Sequence, residues 1–264
     1  YPKRFFQMFI AEQNMVGMAT GLSRLGKIPF VSTFATFLSR AYDQSRMSAY
    51  SMANIKFAGS HVGVSIGTDG PSQMALADIA LFRSIFGCQV LYPADAVSAE
   101  KLVEAAAEHT GNVYLRLTRA ATPVIYKNTE EFPIGGSKVV RGGSDDKVTV
   151  VAGGITLHEA LTAYDELKNE GIFIRVIDLY SIKPIDTQTI QKAARETRAI
   201  VTVEDHYQPG GLGEAVSVEL NLSETPLHIL AVEKMPRSGK PEQLLDYEDI
   251  SSRAIVAKVK EILN

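Results

Sequence analysis

Short runs rich in β-branched and aromatic residues alternate with longer runs of helical period along the whole chain, and this alternation constrains the fold more than any single motif. In the first half the β-like runs are residues 5–10, 28–33, 55–61, 89–92 and 112–117, and helical patterns fill 12–25, 37–53, 74–86 and 97–109. Strands alternating with helices of this length predict βαβ units and a parallel sheet. After Arg119 the pattern pauses. Residues 120–145 carry Pro123, Pro133, Gly135-Gly136 and Gly142-Gly143, the composition of a connector with a short hairpin at 134–141. A second series follows: strands at 148–152, 174–179, 200–204 and 227–232, and helices at 157–170, 187–197, 212–222 and 251–263. The reading is α/β, with two domains, each a mostly parallel sheet flanked by helices: 1–124, a connector 125–145, and 146–264. A length of 264 residues accommodates two domains.

Composition narrows the function classes. Lys+Arg 27 against Asp+Glu 30 leaves a net charge of −3, so charge alone offers no surface for a polyanion and a nucleic-acid role is disfavoured. No apolar stretch approaches the ~20 residues that span a bilayer, so no membrane role is expected. The single cysteine, Cys88, has no internal partner, which fits a reducing compartment. It lies in the apolar run Phe86-Gly87-Cys88-Gln89-Val90-Leu91 and reads as a small buried hydrophobe. The start, Tyr1-Pro2-Lys3, has neither an initiator methionine nor a signal-peptide pattern, so the expected compartment is the cytoplasm and the first residue need not be where translation began.

Ligands of open parallel sheets bind outside the carboxyl ends of the strands, so the residues leaving each strand are the candidates. The first run delivers Ala11-Glu12-Gln13-Asn14 into a helix start, and the second ends in Ser32-Thr33-Phe34, with Phe37 and Arg40 further on. The third delivers Gly59-Ser60-His61 and the loop Gly67-Thr68-Asp69-Gly70-Pro71-Ser72-Gln73, and the last ends at Thr118-Arg119. Each has a plainer reading. Glu12 can complement a helix dipole. Phe34 and Phe37 can be core aromatics, and Asp69 and Ser72 turn and cap residues. His61 can be a satisfied buried histidine and Arg119 a surface ion pair. Their joint placement at consecutive strand ends points to a site. The five histidines are too scattered for a zinc motif. Gly210-Gly211-Leu212-Gly213 before a helix reads as a tight turn rather than an anion cradle. Glu204-Asp205-His206, ending a strand of the second domain, fits either acid–base chemistry or an interface.

Over essentially its whole length the sequence resembles transketolase. The matching stretches are Phe9-Ile10-Ala11-Glu12-Gln13-Asn14-Met15, Ser32-Thr33-Phe34-Ala35, Gly59-Ser60-His61 and Asp69-Gly70-Pro71-Ser72-Gln73-Met74-Ala75-Leu76 in the first half. Thr156-Leu157-His158-Glu159-Ala160-Leu161, Val203-Glu204-Asp205-His206 and Pro236-Arg237-Ser238-Gly239-Lys240-Pro241 follow in the second. The resemblance implies a thiamine-diphosphate pyrimidine-binding domain followed by a transketolase C-terminal domain; Gln73 is similar to the vertebrate-type and split-gene branch. It implies that Glu12 hydrogen-bonds the aminopyrimidine ring, favouring the imino tautomer that deprotonates the thiazolium carbon to the ylide, and that Glu12 is desolvated with its proton affinity raised. By the same resemblance Phe34 and Phe37 stack in the pyrimidine pocket, Gln73 lies close to cofactor and donor, and His61 and Arg119 bind the sugar phosphate. Asp69 would read the ketose C2 hydroxyl, a discrimination that buried hydrogen-bonding groups make large. The implied reaction is reversible transfer of a two-carbon ketol unit from a ketose phosphate to an aldose phosphate, a step of the pentose phosphate pathway.

Complete transketolases also carry a diphosphate-binding domain with a Gly-Asp-Gly…Asn motif for the metal and the diphosphate. Thr68-Asp69-Gly70 lacks the preceding glycine in register and the downstream Asn, so no metal ligand is assigned here. The Mg2+ or Ca2+ ligands are expected on a diphosphate-binding domain or subunit elsewhere. The sequence starts inside the pyrimidine-binding domain, which leaves the strand at 5–10 without a neighbour and with an open edge. The expectation is a chain inactive by itself, that forms a homodimer, or a heterotetramer with the missing half. The alternatives are a dimerising fragment without activity, or another thiamine-diphosphate enzyme, such as deoxyxylulose-phosphate synthase or the β subunit of a 2-oxo-acid dehydrogenase.

Overall fold

Strands buried on both faces read as unbroken apolar runs, and such runs form the middle of two five-stranded sheets. The computed structural model describes residues 1–264. The first sheet takes β1 (Phe30–Phe34), β2 (Lys56–Ser60), β3 (Gln89–Leu91) and β4 (Val113–Arg116). The second takes β5 (Lys138–Arg141), β6 (Val148–Ala152) and β7 (Ile174–Asp178). Next in the chain comes β8 (Ser181–Lys183), which returns to the first sheet, and then β9 (Ala199–Tyr207) and β10 (Leu227–Val232) complete the second. The orders are β1-β2-β4-β3-β8 and β10-β9-β6-β7-β5. All pairings are parallel except β8 against β3 and β5 against β7. This is the expected architecture of two mostly parallel sheets flanked by helices.

The helices are α1 (Glu12–Arg24), α2 (Tyr42–Tyr50), α3 (Asp78–Ser84), α4 (Ala96–Glu108), α5 (Ile155–Asn169), α6 (Thr187–Glu196), α7 (Leu212–Glu219), α8 (Pro241–Tyr247) and α9 (Ser252–Leu263). α4 shows how local sequence sets a boundary. Asp95 accepts from Ser98 N at 2.8 Å while Ser98 Oγ accepts from Asp95 N at 3.0 Å, a reciprocal cap that satisfies two otherwise orphaned amides. The other Asp95 oxygen accepts from Ile125 N and Tyr126 N, tying the connector to the first sheet. One continuous core runs through both halves, with Phe57, Ile79, Phe82 and Val90 packed in the same cluster as Ile182, Ile190, Leu212 and Val216. Cys88 is buried within it, as expected, and burial pushes its thiol up to about 12.

Four sequence expectations fail. Residues 5–10 are not a strand: no strand pairs with them, Phe9 has φ +52°, and Phe9 and Ile10 are 86% and 90% exposed. β-propensity records fit to a half-buried pleated surface, and here no such surface lies beside the segment. The helix read at 37–53 is a 3-10 helix over Ala35–Ala41 followed by α2. The helix read from Met74 begins only at Asp78, because Met74, Ala75 and Leu76 are drawn into the core and Ala75 bridges Val62. The hairpin at 134–141 is one strand, β5, which pairs with β7. Two elements escaped the sequence. β8 is too short to carry a period, and α8 announces itself only by Pro241 at its first turn.

Candidate functional site

Glu12 is the first residue of α1, where an acid that merely complements the dipole would stay in water. Instead it is 7% exposed, and its Oε2 lies 3.6 Å from Arg40 Nε on the 3-10 helix after β1. β1 ends at Phe34, and the 3-10 helix turns once every three residues, which places Phe37 over the preceding ring. The Phe34 and Phe37 rings stack with centroids 5.8 Å apart at 13°. On the other side of Phe34 lies the His61 imidazole, 3.6 Å away at 17°. The β1–β2 register sets Phe34 opposite Ser60, and a left-handed backbone at His61, φ +60°, folds its ring back onto Phe34. Ser60 Oγ lies 3.0 Å from His61 Nδ1.

The loop after β2 continues as a 3-10 helix over Val64–Asp69 and delivers Asp69 to Arg119, which leaves β4. Arg119 Nε stands 3.4 Å from Asp69 Oδ2, and Arg119 also donates to Ile66 O at 3.3 Å. Burial and the Arg119 guanidinium push the His61 imidazole below its ordinary range, while Asp69 pulls the other way. With Nδ1 turned to Ser60 Oγ, the ring leaves Nε2 to hydrogen-bond a ligand hydroxyl or phosphate. Gln73 is tied to its neighbour Ser72 at 3.4 Å and touches none of the other candidates. The structure therefore joins Phe37, Phe34 and His61 in one aromatic row beside the Asp69–Arg119 pair, and sets Glu12 against the 3-10 helix that follows the row. Gln73 stays at the margin. The arrangement offers an aromatic wall, in which Phe34 lies between Phe37 and His61, and a buried carboxylate, groups that suit a flat heteroaromatic ring. No group of three or more His, Cys, Asp or Glu side chains is gathered to hold a metal ion.

Glu204-Asp205-His206 lies between the two halves. Glu204 accepts from Leu212 N at 2.6 Å and Gly213 N at 2.9 Å, so the first turn of α7 is filled by the chain's own carboxylate. Gly210 turns with φ +73°, and Gly211 N donates to Gln208 O, the tight turn that the glycines suggested. Burial raises the Glu204 carboxyl to about 8 against these two N–H groups. His206 is held near 4 by burial, with Asp78 opposing. Arg116, fully buried, donates Nε to Asp78 Oδ2 at 2.8 Å and Nη2 to Asp205 O at 2.8 Å. Asp205 accepts from Val64 N and Ser65 N. Sequence reasoning missed Arg116 and the Arg40–Glu12 contact, because both partners of each pair lie far apart in the chain.

The sequence matches the family described as "Transketolase, pyrimidine binding domain" over residues 1–124 and the one described as "Transketolase, C-terminal domain" over residues 135–255. Transketolase-like protein 2 of Mus musculus is 55% identical over 264 residues, 99% of this chain and 42% of that protein. Transketolase of Mus musculus is 50% identical over 267 residues, 100% of this chain and 43% of that one. Among solved structures, a split gene transketolase described as an inactive beta4 tetramer superposes with a TM-score of 0.89 at 41% identity. That match covers 99% of this chain and 84% of the other. The chain spans less than half the length of the curated relatives it matches.

Proposed function

This chain belongs to the transketolase family, and from that premise we propose that it supplies the pyrimidine-binding and C-terminal parts of a thiamine-diphosphate-dependent ketol transferase. The division proposed is 1–124 for the first part, 125–145 for the connector and 146–264 for the second. The observation that carries the reading is the row Phe37–Phe34–His61, together with the buried Glu12 against Arg40 and the Asp69–Arg119 pair. Glu12 would hydrogen-bond the aminopyrimidine ring nitrogen, and Phe34 and Phe37 would wall that ring off from water. The cofactor, when bound, supplies the electron sink for the two-carbon unit. His61 and Arg119 receive the sugar phosphate, His61 through a ring nitrogen and Arg119 through its guanidinium. Asp69, oriented by Arg119, accepts from a hydroxyl of the sugar. Gln73 closes the donor side.

The metal, Mg2+ or Ca2+, and the diphosphate are assigned to a diphosphate-binding part, whether joined to this chain or separate. With that part the assembly is a homodimer or a heterotetramer. The same reading places the reaction in the pentose phosphate pathway of the cytoplasm, in keeping with a lone buried cysteine. No helix is long and apolar enough to cross a membrane. The test is ketol transfer from a ketose phosphate by the complete enzyme, with thiamine diphosphate and Mg2+ present. Transfer should appear with the diphosphate-binding part and be absent from the 264-residue chain alone. Glu12→Gln should lower kcat by about 100-fold or more, the scale of a lost proton-handling group. Full activity in Glu12→Gln, or transfer by this chain alone, would sink the proposal.

A further inference from the structure

We propose that Asp205, contributed by the second sheet, is a positioning residue for the sugar-recognition loop that carries His61 and Asp69. The inference rests on the transketolase reading, because that reading makes the loop a substrate site. Asp205, near the end of β9, is fully buried and sends its carboxylate across to the first half of the chain. One oxygen accepts from Val64 N at 2.6 Å, the other from Ser65 N at 3.2 Å. These are the first residues of the 3-10 helix that ends at Asp69. The carboxylate comes so close that a Cβ on Gly63 would lie 2.0 Å from it, and Gly63 has φ +76°. Glycine is what allows this approach.

The grip has two further points. Gly67 faces the carbonyl of Gly239, with room of only 3.2 Å for a Cβ, and Gly70 faces Ser238 Oγ, with 2.6 Å. The loop therefore meets the second half at its start, middle and end. At its other face Gly63 N donates to Ala75 O. Upstream, His61 holds φ +60°, a conformation that a side-chain-bearing residue keeps only when its surroundings enforce it. Downstream, Asp69 meets Arg119. The Asp205 main chain is itself anchored: its carbonyl accepts from Arg116, three residues before Arg119 on the same strand exit. One network thus fixes Asp69's loop and Arg119's strand relative to each other. Asp205 touches neither sugar nor cofactor; it sets where two sugar-contacting side chains stand.

The test uses the complete enzyme and steady-state kinetics with a ketose phosphate donor. Asp205→Ala should raise the donor KM by about tenfold, with kcat and the cofactor's apparent KM changed less than about threefold, since only donor recognition depends on the loop. Asp205→Asn keeps one acceptor for Val64 N but turns a donor toward Ser65 N, so its donor KM should rise about threefold. In this chain by itself, Asp205→Ala should speed amide exchange at Val64 and Ser65 and leave β6 and β9 protected. The proposal is overturned if Asp205→Ala leaves the donor KM and those two amides unchanged. It is equally overturned if kcat, cofactor KM and thermal midpoint all fall off together without a donor-specific change. Should Asp205→Ala fail to fold, a wild-type donor KM in Asp205→Asn overturns it. A complete wild-type enzyme without ketol transfer overturns the transketolase reading instead, and exchange at Val64 and Ser65 then decides whether Asp205 holds the loop.

Discussion

Four buried titratable residues, Glu12, Asp178, Glu204 and His206, show how surroundings decide what a side chain does. Glu12 is buried at the start of α1 with the Arg40 guanidinium 3.6 Å away. Asp178, at the end of β7, is wholly buried; Tyr126 donates to its Oδ2 at 2.6 Å, and its Oδ1 has no partner. Burial raises it to about 7, with the tyrosine opposing. A carboxyl that holds its proton more tightly folded than unfolded contributes its stability at low pH and loses it as pH rises through the folded value. Between about pH 4 and 7 the folded chain binds the extra proton, so stability falls with rising pH by up to about 4 kcal/mol from this group. Asp178→Asn, neutral throughout and still able to accept from Tyr126, should flatten that slope and raise the thermal midpoint at pH 8. A midpoint at pH 8 no higher than the wild type's would refute this. His206 acts in the opposite sense. Neutral when folded, it costs stability as pH falls from about 6.5 toward 4. None of this was legible from the residue types, because burial is a property of the fold.

Elements whose signals are local were legible, and elements that depend on a partner were not. β6 and β10 lie where their apolar runs predicted, because a run of five or six β-branched and apolar residues between turn residues admits few alternatives. α4 was legible for the same reason, its capping residues Asp95 and Ser98 lying only three positions apart in sequence. The additional duty of Asp95, holding Ile125 and Tyr126 from a segment 30 residues on, was not. Asp95→Ala should therefore cost more than a cap, typically about 1 kcal/mol, since two further amides lose their acceptor. A loss of about 2–4 kcal/mol in urea unfolding is expected, and a loss no larger than a cap's would show that the connector is held by other means. The run at 5–10 is the converse case. It has strand composition but no neighbouring strand, so its apolar side chains face water.

At the scale of the whole molecule, that exposed segment is a feature to be covered. Phe5, Phe6, Phe9 and Ile10 project from one short stretch, and β1 stands at the open edge of the first sheet. A contiguous apolar surface of this kind favours association. The chain alone should sediment as a dimer or larger species at micromolar concentration, and Phe9→Asp combined with Ile10→Asp should shift it toward monomer. Unchanged sedimentation of the double variant would place the association surface elsewhere. Between the halves, the opposite solution has been found: Arg116, Asp78, Asp205 and His206 are buried together, with Arg116 donating to both Asp78 and the Asp205 carbonyl, while Arg116 Nη1 and His206 Nε2 keep no hydrogen-bond partner. Severing such a network leaves charges without partners, which is why the two halves are expected to unfold as one unit.

What the sequence by itself determined was the class of fold, the exits of β1, β2 and β4 from which Phe34, His61 and Arg119 leave, and the family resemblance, all of which rest on local period and ordered motifs. Only the tertiary structure decided that Phe37 turns onto Phe34, that His61 folds back to extend the row, and that Asp69 pairs with Arg119. It also decided that Asp205 belongs to the loop of another sheet, 140 residues away from Ser65. The reason is physical. Periodicity reports which face of an element is apolar, but the partner of a buried polar group is chosen by distance in space, and satisfying every such group is a condition on the whole chain at once.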